Sequence, residues 1–377
     1  MLTPEENERI TRVGPGTPCG ALLRRYWQPI AIASELTPEQ PKKRVRVLGE
    51  DLVVYRNGQG GYGCVAEQCP HRGVSLYYGF VEDDGIRCAY HGWKFDGCGR
   101  CLEQPFEPAG STYKERVRLK SYPLQKMAGL LFAYMGPEPA PLLPRWDVVA
   151  REDGTRRIEI RPTLTCNWLQ AQENTADTVH TYYLHGHMMK TQGLRGGEYY
   201  YRPIEDYGWE LCEWGLSKWC RYGGDRPELE IRPPLLFPNL LRIPALGEEC
   251  LHWRVPVDDT RTNIIMVAFR PSPDGARVEQ PEDPPVRYLP SPIGPDGEYD
   301  LSTFDAQDRM AWETQGALYD RSQEHLGATD RGIIMFRKLL LDQIAVVEQG
   351  GDPIALIRDP ARNELIVFES SSNILVS

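Results

Sequence analysis

Two short stretches hold residue types whose spacing can do chemistry. The first is Cys69-Pro70-His71 and, after sixteen intervening residues, Cys88-Ala89-Tyr90-His91. Two cysteines and two histidines arrive as two mixed pairs, each a Cys followed by a His. A [2Fe–2S] cluster held by two His on one iron and two Cys on the other takes one ligand of each kind from each loop. Structural zinc sites more often pair like with like, Cys with Cys and His with His. Pro70, Gly73 and Gly92 favour tight loops, and Trp93 stands where it can shield a cluster from water. A zinc site, or four ordinary buried residues, is the alternative. The second stretch runs from Asn174 through Asp177 and His180 to His185. Two neutral imidazoles and one carboxylate, with coordination positions left open, suit a mononuclear Fe(II) that handles O₂. His180 and His185 are five apart, about 140° round an undistorted helix at roughly 100° per residue. They share one ion only if the helix unwinds or bulges between them, with Gly186 consistent with an end there; Asp177 and His180, three apart, lie on one face. The alternative is a polar helix face carrying two unrelated histidines.

The elements that must position these groups follow from the patterning. Thr3, Pro4 and Glu5-Glu6 predict a short N-terminal helix over residues 3–13. The runs "RVRVLG", "DLVVYRN" and "GYGCVAEQC", broken by Gly and Asn, predict an antiparallel meander with the Cys/His pairs at exposed hairpin tips, and "GLLFAYMG" a closing strand. The proline-rich 135–141 marks a boundary. Beyond it "RRIEIRPTLTCNW" reads as a strand and "WLQAQENTADTVHTYYLHG" as a helix. Residues 197–272, beginning with "YYYRPI", read as strands of one large antiparallel sheet, 272–300 as a long loop, and "DAQDRMAWETQGALY" and "TDRGIIMFRKLLLDQIAVVEQG" as two helices. Cys98-Gly99-Arg100-Cys101 reads as a β-turn with two small apolar residues; as a redox or zinc pair it lacks a second Cys pair.

The totals narrow the class. A chain of 377 residues, 41% apolar and 25% charged, suits a soluble globular protein of two or three domains. No apolar run reaches the roughly 20 residues that span a bilayer. The N-terminus has neither a basic start nor an apolar segment, so the expected location is the cytoplasm, where the 10 cysteines are metal ligands or buried thiols. A net charge of −10 argues against nucleic acid. Lys42, Lys43, Arg44, Arg46, Arg72, Arg87 and Lys94 nevertheless gather near the first site, as a solvated face or as a docking patch for an acidic electron donor.

"CPHRG" and "CAYHGWKFD" resemble the Rieske domain of bacterial ring-hydroxylating oxygenases, and the Asp-x₂-His-x₄-His pattern after an Asn resembles the catalytic domain of the same family. From "RRYWQP" to "DRSQEHLGATD" the chain resembles the phthalate 4,5-dioxygenase-like branch. The resemblance implies an α+β protein: an all-β Rieske [2Fe–2S] domain, then a helix-grip (START-like) catalytic domain with a large antiparallel sheet and covering helices. The implied bounds are 1–26 for an N-terminal helical segment packed on the catalytic domain, 27–136 for the Rieske domain, 137–147 for a linker and 148–377 for the catalytic domain. It makes Cys69, His71, Cys88 and His91 the cluster ligands, and His180 and His185 ligands of a mononuclear non-haem Fe(II). Asp177 becomes an acidic bridge between an iron-ligand His and a neighbouring subunit's cluster ligand, the counterpart of His91. Asp308, followed by Glu313 and Gln315, best matches the third ligand, with Asp305, Asp320 and Asp330 as rivals. Asn174 is either a group near the open iron positions or a structural amide.

The activity so implied is that of a terminal oxygenase component, which takes single electrons through its cluster and uses O₂ to hydroxylate, dihydroxylate or O-demethylate an aromatic, carboxylated compound. Electrons would come from a separate NAD(P)H-dependent flavin and iron–sulfur reductase. This chain has no G-x-G-x-x-G after a strand, so it is expected to bind neither flavin nor nicotinamide. The assembly implied is a homotrimer, or stacked trimers, with no nucleic-acid or membrane partner. Lys190, Arg195 and Arg202, with Tyr182, Tyr183, Tyr199, Tyr200 and Tyr201, are either a pocket for an aromatic acid or surface and core residues. His187 is a pocket donor or a surface group, and His252 and His325 are assigned to no metal. A Rieske electron carrier or redox sensor, or an oxygenase of a non-aromatic substrate, is the competing reading.

Overall fold

The computed structural model describes residues 2–224, 228–245 and 247–368, apart from the side chains of Tyr199, 228–233, 244 and 245. The chain starts with α1 (Pro4–Thr11), which Thr3 and Glu6 close with a reciprocal capping box, and α2 (Pro18–Leu23). Strand β1 (Gln28–Ile32) precedes the expected meander, β2 (Lys42–Val47), β3 (Glu50–Arg56) and β4 (Tyr62–Ala66), paired in that order. Four short strands, β5 (Phe80–Val81), β6 (Ile86–Arg87), β7 (Lys94–Phe95) and β8 (Cys101–Glu103), form a second small sheet. Strands β9 (Leu124–Met127) and β10 (Leu130–Ala133) pair back onto β1 and close this part of the chain. Part of it has a core of its own, in which Val53, Tyr55, Val65, Leu76, Ile86, Trp93, Phe95 and Leu119 pack with Cys69 and Cys88.

After a single turn of helix, α3 (Asp147–Ala150), β11 (Gly154–Ile160) enters an eight-stranded sheet. The predicted strand is shorter than its apolar run, ending two residues before Pro162, whose nitrogen cannot join a ladder. Helix α4 (Trp168–Ala176), a π-helical segment (Thr181–His187), α5 (Met188–Thr191) and α6 (Gly197–Tyr200) follow. The remaining strands are β12 (Ile204–Cys212), β13 (Gly215–Tyr222), β14 (Glu228–Leu236), β15 (Leu240–Ala245), β16 (Glu248–Asp258), β17 (Arg261–Pro271) and β18 (Val286–Tyr288). Their order is β12-β13-β14-β15-β16-β17-β11-β18, antiparallel except that β18 runs parallel to β11. Residues 272–300, expected to be loop throughout, thus donate one short edge strand. Tyr199 and Tyr200, read as strand, belong instead to α6, and the sheet begins at Ile204.

Two helices cover the sheet, α7 (Phe304–Glu313) and α8 (Arg331–Glu348). One continuous apolar core joins α1, α2, β1, β10, the sheet and α8, through residues such as Ile10, Leu22, Phe132, Trp253 and Phe336. The N-terminal segment is tied to the far end of the chain: Asn7 Nδ2 donates to Tyr319 O at 3.2 Å, and Arg9 pairs with Glu348. No helix among the described residues is long and apolar enough to cross a membrane.

Candidate functional site

The two Cys/His pairs sit on turns of the same design. Gly73 N–H donates to Cys69 O at 2.8 Å and Gly92 N–H to Cys88 O at 3.0 Å, while Cys69 N–H bonds Val74 O and Cys88 N–H bonds Trp93 O. Both glycines have φ near +75°, a conformation that the turns require and that L side chains rarely adopt. The turns present Cys69 and Cys88 inward, both buried, and leave His71 and His91 partly open, their rings 4.5 Å apart. Trp93 stacks on His71 at 4.3 Å. Burial, with Cys88 beside it, raises the Cys69 thiol to about 11, so its thiolate needs compensating metal charge. Desolvation, then His71 and Arg72, lower the pKa of His91, favouring the neutral imidazole that a metal needs. Cys98 and Cys101 flank the turn read from sequence, with Gly99 at φ +75°.

The second stretch is broken where its spacing demands. Helix α4 ends at Ala176, Asp177 is extended, and a new helical segment starts at His180 and continues with π geometry from Thr181 to His187. In a π-helix the i→i+5 hydrogen bond brings residues five apart to one side, so the rings of His180 and His185 meet edge to face at 5.3 Å. Asp177 makes this turn possible: its Oδ1 accepts from Val179 N–H at 2.8 Å and His180 N–H at 3.2 Å, capping the new helix.

Helix α7 brings the carboxylate. Asp308 Oδ1 lies 3.3 Å from His185 Nε2 and 3.9 Å from His180 Nε2, and the three donor atoms fall within 4.8 Å of one another. The outer ring nitrogens are oriented separately. His185 Nδ1 bonds Gln307 Oε1 at 2.9 Å, and Gln307 Nε2 donates to Leu301 O. His180 Nδ1 is buried without a hydrogen-bond partner, with Asp177 Oδ2 at 3.7 Å, too long for a bond. Burial pushes both Asp177 and Asp308 up, but the facing histidines outweigh it and hold both below the usual carboxylate range. Anionic oxygen and inward-facing imidazoles form a donor set that suits a ferrous ion with open positions. Asn174 Nδ2 is 3.4 Å from Asp308 Oδ1, inside the site.

The rivals to Asp308 are engaged elsewhere. Asp305 pairs with Arg161, Asp320 accepts from Ser322, and Asp330 accepts from Gly327 N–H. Lys190, Arg195, His187 and His325 are exposed, and Arg202 lies over the Tyr222 ring at 4.2 Å. Tyr182 and Tyr201 pack on each other at 4.9 Å, Tyr183 is exposed, Tyr200 lies 5.8 Å from His185, and the Tyr199 side chain is outside the described residues. Gln307 was not anticipated; its place immediately before a ligand candidate is the one signal that pointed to it. The basic residues near the cluster are also spent. Lys43 meets Glu35, Arg44 Glu67, Arg46 Asp51, Arg87 Glu82 and Glu103, and Lys94 Glu82 and Asp84. Lys42 bonds Gly79 O, which leaves Arg72, over the exposed Tyr90 ring.

Comparison with known proteins agrees with this geometry. Residues 26–123 match the Rieske [2Fe-2S] domain, and residues 294–371 a "LigXa C-terminal domain like" model. The chain belongs to the Rieske non-haem iron ring-hydroxylating oxygenases, as an oxygenase (alpha) subunit. Within that class it falls in the phthalate 4,5-dioxygenase-like branch. It is 41% identical over 377 aligned residues to the 5,5'-dehydrodivanillate O-demethylase oxygenase subunit of a Sphingobium species, covering 97% of this chain and 86% of that one. It is 32% identical to the phthalate 4,5-dioxygenase oxygenase subunit of Pseudomonas putida, covering 94% and 89%. The fold matches the terminal oxygenase of carbazole 1,9a-dioxygenase from Nocardioides aromaticivorans, with TM-score 0.63, 20% identity and coverage of 90% and 97%. The chain is thus an O₂-using oxidoreductase that carries a Rieske domain.

Proposed function

We propose that this chain is the terminal component of an aromatic-compound oxygenase. In this reading Cys69, His71, Cys88 and His91 hold the [2Fe–2S] cluster, and His180, His185 and Asp308 hold a mononuclear Fe(II). The single observation that carries it is the convergence of two imidazole Nε2 atoms and one carboxylate from two separate helical segments, in a chain that also bears the mixed Cys/His turns. Bound there, the cluster would supply single electrons and the ferrous ion would supply O₂ activation.

The chain's own residues do the rest. Gln307 Oε1 accepts a hydrogen bond from His185 Nδ1–H and so keeps Nε2 free to ligate. Asp177 Oδ2 lies 3.7 Å from the Nδ1 of His180, where its negative charge, rather than a hydrogen bond, favours a proton on that nitrogen. The family pattern further gives Asp177 the role of linking His180 to a neighbouring subunit's cluster, which implies a homotrimer, and a separate NAD(P)H reductase as electron source. Relatives that demethylate dehydrodivanillate or dioxygenate phthalate support an aromatic substrate, with hydroxylation, dihydroxylation and O-demethylation all within the branch's chemistry.

Iron analysis tests the reading. The protein should hold about three irons per chain, and Asp308→Ala about two, with the cluster's visible absorption kept and O₂ uptake gone. Two irons in the unaltered protein, without O₂ uptake, would make it an electron carrier instead.

A further inference from the structure

An α-helix ends in four carbonyls that no later amide of the same helix can reach. At the end of α4 these belong to Glu173, Asn174, Thr175 and Ala176. Asp177 N–H serves the first two, at 3.1 and 3.2 Å, as the chain turns out of the helix. The other two are served from the sheet. Lys218 Nζ on β13 donates to Thr175 O, and Trp209 Nε1 on β12 donates to Ala176 O at 2.7 Å. Trp209 and Lys218 are direct cross-strand partners, so they share a face and reach successive carbonyls as a pair. All four residues are buried, so losing either donor would leave a buried carbonyl unsatisfied.

Gly332 makes room for this contact. It lies in the first turn of α8, and a Cβ built on it would stand 2.2 Å from Trp209 Nε1 and 2.5 Å from Ala176 O. Any side chain there would strike both atoms of the hydrogen bond at once. Glycine weakens a helix, and this one adopts no left-handed angle, so close approach is what it supplies.

What hangs on the end of α4 is the residue after it. Asp177 leaves extended, at φ −78° and ψ 130°. That exit sets where its Oδ1 caps the segment of His180 and where its Oδ2 faces the His180 ring. His185 has an anchor of its own in Gln307. The His180 ring has no hydrogen bond at Nδ1, so its place follows from the backbone before it.

We propose that Trp209 and Lys218, given room by Gly332, are positioning residues for His180. By holding the last carbonyls of α4 they fix where the helix ends, and so where His180 stands relative to His185 and Asp308. The proposal rests on the oxygenase reading for the identity of the ion those three hold. Without the two donors α4 frays or extends through Asp177, and the His180 ring leaves the donor set.

The test titrates ferrous ion anaerobically into the full-length, cluster-loaded protein stripped of its mononuclear iron, and follows hydrogen exchange along the chain. Trp209→Phe keeps a ring and loses the N–H. It should weaken ferrous binding roughly 10-fold or more, the usual size for a group that orients a metal ligand. Exchange should quicken across residues 175–181 while α7 and the Cys/His turns keep their protection and the cluster its visible absorption. Lys218→Met should act in the same direction. Gly332→Ala removes no donor and suits a helix better, yet it should weaken ferrous binding as Trp209→Phe does. The double variant should be little worse than either single one, because both break the same bond. Should Trp209→Phe fail to fold, Gly332→Ala and Lys218→Met decide the matter. Variants that bind ferrous ion as tightly as the unaltered protein overturn the proposal, whatever their stability. So does exchange raised evenly over β12, β13 and α8 with no excess at 175–181, the mark of a merely structural role. Failure of the oxygenase reading looks different: the unaltered protein itself binds no ferrous ion, and the proposal falls with it.

Discussion

Asp177 does two jobs with its two oxygens: one caps the helical segment that starts at His180, and the other faces the His180 ring. Asparagine keeps an acceptor for the cap but removes the negative charge from the ring. Asp177→Asn should therefore retain cluster and iron while product formation falls roughly 10–100-fold or more, the usual size for a group that orients a metal-bound histidine. Iron content measured beside steady-state product formation checks it; normal turnover would break the link between this carboxylate and the iron. The same division of oxygens explains why the charge is hard to replace. A residue that only capped, such as Ser or Thr, would build the turn and leave Nδ1 of His180 without its anion.

At the scale of elements, the site depends on α4 being anchored. Glu173 on α4 is buried between Arg321 and Arg337 of the C-terminal part, at 2.9 and 2.6 Å. Burial pushes its pKa up, but the two guanidinia outweigh it and hold the carboxylate below its ordinary range. A depressed folded-state pKa means the stabilisation is present above the unfolded value, about 4.3, and is lost as pH falls through the folded value. Glu173→Gln should cost about 3 kcal/mol, as when one partner of a buried pair is removed, and should flatten the acid limb of the stability curve. Denaturant unfolding at pH 7 and pH 4 measures both. How far such elements could be read beforehand follows from how local their causes are. The mixed Cys/His turns and the helix break were legible, because the spacing itself points to them: two histidines five positions apart cannot reach one ion from a regular α-helix. The tyrosine run was misread because Tyr favours any half-buried surface, and here that surface is the π-helical segment that α6 packs against. Arg161 and Arg254, which both stand level with Ile264 on the large sheet, were invisible as neighbours. Cys250, His252 and Arg254 alternate with Leu251, Trp253 and Val255 as in any strand with a wet face, and only the covering helices make that face an interior.

Across the whole molecule, the basic residues round the cluster prove to be half of a mosaic rather than a patch. With Lys43, Arg44, Arg46, Arg87 and Lys94 each paired to a carboxylate, little net field remains to steer an acidic partner over distance. The rate at which an external donor reduces the cluster should change by less than about threefold between low and physiological salt, where true steering gives 10-fold or more; stopped-flow reduction across that range tests it. Of the two readings from sequence, a solvated face or a docking patch, the second saw the lysines and arginines as neighbours but not Glu35, Glu67, Glu82 and Glu103 among them.

The welding of α1 to Tyr319 and Glu348, beside a separate core spanning Val53 to Leu119, sets an order in time. During synthesis the core under the Cys/His turns has its partners once about the first third of the chain has emerged, whereas the other face of the same strands, through Leu52, Val54 and Cys64, joins the core of the large sheet made later. Helix α1 must wait for partners more than 300 residues away, made almost last. The turns that carry the Cys/His pairs are in this sense packed early, while the oxygen-handling part stays open until the ribosome has nearly let go.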